Sequence, residues 1–198
     1  STCGGMGLTG IILSAELKMI KVQSHQIKQT SYKTNSIEEL FYFFEKNSFK
    51  KFSMAWIDCS SNNENTRKGI FISGDYSKNN KKKKMKIIKI KLPFYFPKYF
   101  LNKYFIRIFN SLYYHLFSFK KKGKKTVDFY NFFFPLDKIL NWNKFYGNAG
   151  FIQYQFVLPK KNSLSGIKKI IKMITESDQV SPLVVLKLLG PKNKNPLS

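Results

Sequence analysis

Apolar and polar positions alternate along the chain in short segments of changing period. Gly10 to Met19 opens as an apolar run and then alternates, with Ala15, Leu17 and Met19 on one side and Glu16 and Lys18 on the other, as in a strand. Ser36-Ile37-Glu38-Glu39 has the form of a capping box. Ile37, Leu40, Phe41 and Phe44 follow at helical spacing, which predicts an amphipathic helix to about Lys46 with its aromatic face in the core. Lys51 to Cys59 and Gly69 to Ser73 read as strands joined by the polar stretch Ser60 to Lys68, which has the composition of a hairpin connection. Val127 to Phe134 and Phe151 to Leu158 read as further strands, and the intervening Asp137 to Gly150 can be helical in its first part. Asn162 or Ser163 can cap a helix with Leu164, Ile167, Ile170, Ile171 and Ile174 on one face, ending near Asp178, and Pro182 to Leu189 makes a last apolar strand. The order β, α, β, β, α, β, α, β predicts an α+β domain in which helices cover one side of an antiparallel sheet.

From Lys78 to Lys125 the pattern changes. No acidic residue occurs there, lysines cluster at both ends, and the middle is dense in Phe, Tyr, Leu and Ile. Pro93 and Pro97 interrupt the first half, whereas Tyr99 to Phe119 can form a helix with more apolar residues than one stripe holds. Such a helix is either buried on several sides or faces lipid.

With 198 residues, 43% of them hydrophobic and 17% aromatic, the chain can bury one core. It has neither a spanning apolar run nor a signal-peptide pattern, so a cytoplasmic protein is the expectation. Cys3, Cys59, His25 and His115 lack the spacing of a disulfide framework or a metal site. The formal charge of +24 points to nucleic acid or an anionic membrane surface. Lys, Asn, Ile, Phe and Tyr are abundant together, however, the set favoured by an AT-rich genome, and solvated lysines account for part of that charge. A basic nucleic-acid-binding protein is supported only by charge and aromatics, without a base-reading motif. Ser1-Thr2-Cys3-Gly4-Gly5 enters a glycine motif without an initiator methionine, and Asn195 to Ser198 closes on no element, so the expectation is a piece of a longer protein.

Gly4-Gly5-Met6-Gly7-Leu8-Thr9-Gly10-Ile11-Ile12 lets backbone N–H groups approach a phosphate or flavin edge, and a plain glycine turn explains it as well. In its context the segment resembles the place in vanillyl-alcohol-oxidase-like FAD proteins where the flavin domain passes into the substrate domain. Phe134-Pro135-Leu136-Asp137, Asn141-Trp142-Asn143, Tyr146-Gly147 and Gly150-Phe151-Ile152-Gln153-Tyr154-Gln155-Phe156 are similar to the substrate-domain signature of decaprenylphosphoryl-β-D-ribose 2'-oxidases. Leu186 to Asn193 and Pro196-Leu197-Ser198 resemble the next strand and loop of that family. The matches are colinear and fall at the start, middle and end of the chain, and the stretch from Tyr76 to Thr126 matches least.

On a strand, Gln153 and Gln155 would share a face and offer paired amides to sugar hydroxyls, or simply face solvent. Lys187 interrupts an apolar run and must find solvent or an anion such as a phosphate. The resemblance implies more. Gln153, Gln155 and Lys187 match polar residues of the substrate pocket, and Trp56 matches an aromatic wall. Phe133 stands where the family often has a tyrosine, and Leu189 where it has an aromatic. Gly4, Gly5, Gly7, Thr9 and Ile12 match FAD-proximal positions. On this basis residues 1–22 are the C-terminal edge of a FAD-binding domain and 23–198 an incomplete substrate domain with a basic aromatic insert at about 76–126. The implied activity is FAD-dependent oxidation of C2 of a polyprenyl-phosphoryl ribose to a keto sugar, the first half of an epimerisation to arabinose used in cell-wall synthesis. An NAD(P)H-dependent keto-sugar reductase would be the pathway partner, with peripheral membrane contact and no metal. An aldonolactone- or alditol-oxidising relative is the alternative within enzymes. No general base is identified, and the chain alone is expected to be inactive.

Overall fold

The computed structural model describes residues 5, 7–61, 67–78, 89–97, 101–117, 122–177 and 181–190. In chain order the elements are β1 (Gln26–Thr34), α1 (Ile37–Lys46), β2 (Phe52–Ile57), β3 (Gly69–Tyr76), β4 (Ile90–Lys91), α2 (Lys103–Phe117), β5 (Lys122–Asp128), α3 (Phe129–Phe133), β6 (Ile139–Leu140), α4 (Ser163–Glu176) and β7 (Val185–Leu186). Tight 3-10 turns occupy Pro135–Lys138, Trp142–Ala149 and Lys160–Asn162. Strands β5-β1-β3-β2-β7 form one sheet, every neighbouring pair antiparallel, and β4 and β6 make a separate short parallel pair. The fold is α+β, as the pattern predicts.

Side chains alternate across the sheet, and its two faces bury different partners. One face carries Ala55, Ile57 and Phe71 against Ile37, Leu40 and Phe44 of α1 and Ile167 and Ile171 of α4. Phe71 is fully buried, with the Phe44 ring edge-on at 5.0 Å and Phe43 stacked at 5.8 Å. The other face carries Trp56 and Ile70 against Tyr114 of α2. Helices therefore lie on both sides of the sheet rather than the single side expected, because β2 and β3 are apolar on both faces.

The α1 cap forms as its sequence predicts. Ser36 Oγ accepts from the Glu39 N–H at 3.1 Å, and Glu39 Oε2 accepts in return from Asn35 N–H at 2.8 Å, one residue before the cap. At α4 the Asn162 side chain makes no capping bond.

Other segments depart from their pattern. Gly10 to Met19 belongs to no strand and is exposed throughout, with Leu13 94% accessible. Phe151 to Leu158 is likewise unpaired, and exposed up to Val157. Alternation supplies a face, but a strand also needs a neighbour to take its N–H and C=O groups, and neither segment has one among the described residues. The strand expected over Val127 to Phe134 ends at Asp128, where Phe129 N–H donates to His25 C=O at 2.7 Å and the chain turns into α3. Of Pro182 to Leu189 only Val185 and Leu186 pair, opposite Trp56 and Ala55. Conversely β1, paired on both edges, escapes the apolar pattern because Gln29, Ser31 and Thr34 occupy buried positions on it. Lysine-rich β5 escapes it for the same reason.

Removing the Phe71 ring (Phe71→Ala) should cost about 3–5 kcal/mol in urea unfolding, against about 1 kcal/mol for Ser36→Ala. Two carboxyls also tie elements together. Lys168 holds Glu38 below the usual carboxylate range, pairing α4 with α1. Partial burial raises Asp75, but Lys50 Nζ at 2.6 Å and Lys51 N–H at 3.0 Å outweigh it and hold the carboxyl low. A depressed folded pKa contributes stability above the unfolded value of about 4, lost as pH falls through the folded pKa. The urea midpoint should therefore drop on acidification below about pH 4, and Asp75→Asn should flatten that drop.

Candidate functional site

The α2-side face of the sheet is closed at its two ends and open between them. At one end Tyr113 packs edge-on against Trp56 at 4.9 Å, and Tyr114 OH donates to Thr34 C=O at 3.3 Å. At the other, α3 sets Phe133 edge-on against Phe52 at 4.8 Å and Phe132 at 6.0 Å from the same ring. Phe52 and Trp56 lie on one face of β2, ~13 Å apart along the strand. Between them Met54 is half-buried, and across the β2–β7 edge Val185 is 47% exposed. Lys187 follows at the next position of the same parity and is exposed.

Trp56 and Lys187 are thus brought to one sheet face by the pairing of Trp56 with Val185, and Phe133 stands at the far end of that face. Trp56 itself is only 6% exposed and its Nε1 donates to Pro182 C=O at 3.0 Å, which pins the chain entering β7. Gln153 and Gln155 are placed differently. They lie on the exposed segment 151–157, outside the sheet, so the common-face geometry expected of a strand is not formed, and no hydrogen bond joins them to Trp56 or Lys187. Leu189 is exposed just beyond β7.

The motif preceding those glutamines builds a shallow concavity of its own, lined by Tyr95, Asn143, Tyr146 and Phe151 among others. Asn141, Gly147 and Gly150 take left-handed φ of 59°, 63° and 70°, conformations that favour Asn and Gly. At Gly147 a Cβ would also stand 2.5 Å from the Phe96 carbonyl oxygen. Trp142 stacks on Phe145 at 5.1 Å and Tyr146 on Phe151 at 4.1 Å, so the aromatic residues of the motif support one another. Burial raises the Tyr146 hydroxyl above its ordinary pKa, with the Trp142 indole opposing, and it stays a neutral donor at physiological pH.

Of the residues matched to a cofactor, Gly4 lies outside the described residues. Gly5 is buried and accepts from Leu8 N–H at 2.9 Å. Gly7 and Gly10 have φ of 80° and 141° with open space where a Cβ would project, while Thr9 and Ile12 are exposed. Open backbone of this kind fits the edge of a flavin or phosphate site.

A buried polar network at the end of β2 went unread in the sequence. Asp58 Oδ1 accepts from Ser60 N–H at 2.9 Å, Ser60 Oγ at 2.6 Å and Asn110 Nδ2 of α2 at 2.8 Å. Arg67, 1% exposed, donates through Nη1 to Asp58 C=O at 3.3 Å, and Arg107 Nε donates to Ser60 C=O at 3.0 Å. The network bolts α2 to the sheet beside Trp56. A signal for it existed: the chain's arginines, Arg67 and Arg107, stand among many lysines and both converge here, where a guanidinium reaches several acceptors and an ammonium does not. Burial pushes the neighbouring Cys59 thiol up to about 12, with Arg67 opposing and Asp58 adding to the rise.

In a Cys3→Ser background, Cys59 should therefore stay unreactive to a thiol reagent at neutral pH until the protein unfolds. Asn110→Ala should unmask it by loosening α2, at about 1–3 kcal/mol of stability.

No protein-family model matches the chain. Over 212 aligned positions covering its whole length, the chain is 33% identical to decaprenylphosphoryl-beta-D-ribose oxidase of Mycolicibacterium smegmatis. It spans 45% of that protein's length.

Proposed function

From a chain similar end to end to this mycobacterial oxidase, we propose that the protein carrying it oxidises the C2 hydroxyl of a polyprenyl-phosphoryl ribose to a keto sugar, with FAD as cofactor. The observation that carries the reading is the full-length similarity. The placement of Lys187 beside Trp56 on an open sheet face supports it.

The chain's own residues suit substrate recognition. Lys187 presents an ammonium to the phosphate at the exposed β7 edge, where the charge-assisted bond costs little desolvation. The sheet between Tyr113 and Phe133 offers an apolar floor for a sugar or the first isoprene units, and Trp56 braces it from below. Gln153 and Gln155 can donate to and accept from ring hydroxyls once their segment is held against the rest of the protein. Gly7 and Gly10 would border the flavin through open backbone. When bound, FAD supplies the acceptor for the hydride leaving C2. The side chains of the open floor, Met54, Val185 and Lys187, include no carboxylate or imidazole, so the hydroxyl proton is assigned to a base elsewhere in the protein.

Reduction of the keto sugar by an NAD(P)H-dependent enzyme would complete an epimerisation to the arabinose configuration, a precursor for cell-wall arabinan. A cytoplasmic protein in peripheral contact with the membrane suits a substrate anchored in a leaflet.

Anaerobic addition of polyprenyl-phosphoryl ribose to the flavin-loaded full-length protein should bleach the flavin's visible absorbance; an unchanged spectrum would overturn the reading. Lys187→Ala should weaken that substrate about 10- to 100-fold while leaving the dephosphorylated sugar unaffected. The 198-residue chain by itself should purify without stoichiometric flavin.

A further inference from the structure

The outward side of α2 is uncovered and apolar. The helix buries Ile106, Asn110 and Tyr114, at 4%, 0% and 6% exposure. On the opposite side Tyr104, Ile108, Leu112 and Leu116 recur every fourth residue at 64%, 67%, 53% and 57% exposure. They form one stripe, ~18 Å long at 1.5 Å per residue. Contiguous apolar surface of this kind marks a contact face.

Charge decides among occupants. No acidic residue occurs between Lys78 and Lys125, and in sequence the helix is bracketed by Lys98 and Lys103 before it and Lys120 to Lys122, Lys124 and Lys125 after it. Lys33 and Lys68 both lie over the Tyr114 ring, at 4.6 and 5.2 Å, and Lys33 Nζ donates to His115 C=O near the helix end. Glu38, Glu39 and Glu45 on α1 and Glu176 on α4 sit over the other face of the sheet. The apolar stripe therefore lies on the basic side of a charge-polarised molecule. Among the described residues, no helix is long and apolar enough to cross a membrane.

We infer that the outer side of α2 is an interfacial surface for anionic lipid, with Tyr104, Ile108, Leu112 and Leu116 in the acyl boundary and the flanking lysines among the headgroups. Apolar burial and headgroup attraction act together on such a helix, and each is needed for firm attachment. The inference gives peripheral contact a named surface and a lipid charge, and it stands whether or not the substrate is a lipid-linked sugar.

Sedimentation of the full-length protein with phosphatidylcholine vesicles, with and without phosphatidylglycerol, tests it. Binding is expected only with phosphatidylglycerol and should weaken with added salt. Ile108→Gln/Leu112→Gln, which leaves the buried side of α2 intact, should lower the partition coefficient about tenfold or more at unchanged circular dichroism. Equal binding to neutral vesicles, or none to either, would overturn the inference. So would full binding by the double variant, which would leave the lysine tracts alone responsible. A dimer in analytical ultracentrifugation that the same double variant dissolves would assign the stripe to a second copy instead.

Discussion

Strand β3 is paired along both edges, with β1 on one side and β2 on the other, and it is apolar on both faces. Phe71 points into the α1–α4 layer while Ile70 and Ile72 point toward α2, so each helical layer rests on the same eight-residue strand. A sheet whose middle strand is buried on both sides must be covered on both sides. That constraint places α2 over Trp56 and leaves α3 to close the other end. The open floor between them is what remains of the face once those aromatic contacts are made.

Polar groups then decide how firmly α2 is held. Asp58, Ser60, Arg67 and Asn110 are almost wholly buried, and a buried network of this kind stabilises only when its members find partners. The Asp58 carboxylate accepts from three donors, one of them on α2, and Arg107 adds a bond from the same helix to the Ser60 carbonyl. The helix is fixed on its inner side by directional bonds, and its outer side is free to present aliphatic residues. Pinning of the β7 approach by Trp56 Nε1 works in the same way, trading an indole donor for the position of the strand that leads to Lys187.

The candidate site has two parts that the described residues do not join. One is the sheet face with Trp56, Phe133 and Lys187. The other is the turn-rich motif from Asn141 to Phe151, with Gln153 and Gln155 following it on an exposed, unpaired segment. Gly10 to Met19 is unpaired in the same way. Both segments alternate in hydrophobicity and expose large apolar side chains, Leu13 and Ile152 at 94% and 98%. They have the side-chain pattern of strands without the backbone partners.

Local chemistry sufficed for the elements whose stability is local or strongly apolar. The Ser36 cap, the helical spacing of Ile37 to Phe44, the hairpin of β2 and β3, the isoleucine face of α4 and the α+β class were legible in the residues alone. So was the full-length likeness, carried by three separated motifs. Tertiary structure decided the rest, because long-range pairing and burial leave no periodic mark. It made β1 central despite its buried Gln29 and Ser31, recruited lysine-rich β5, turned Phe129–Phe133 from expected strand into helix, and denied Gln153 and Gln155 the strand that would have set them on one face. It also gathered Arg67, Arg107, Asp58 and Asn110, far apart in sequence, into one buried network, and turned one side of α2 inward and the other out.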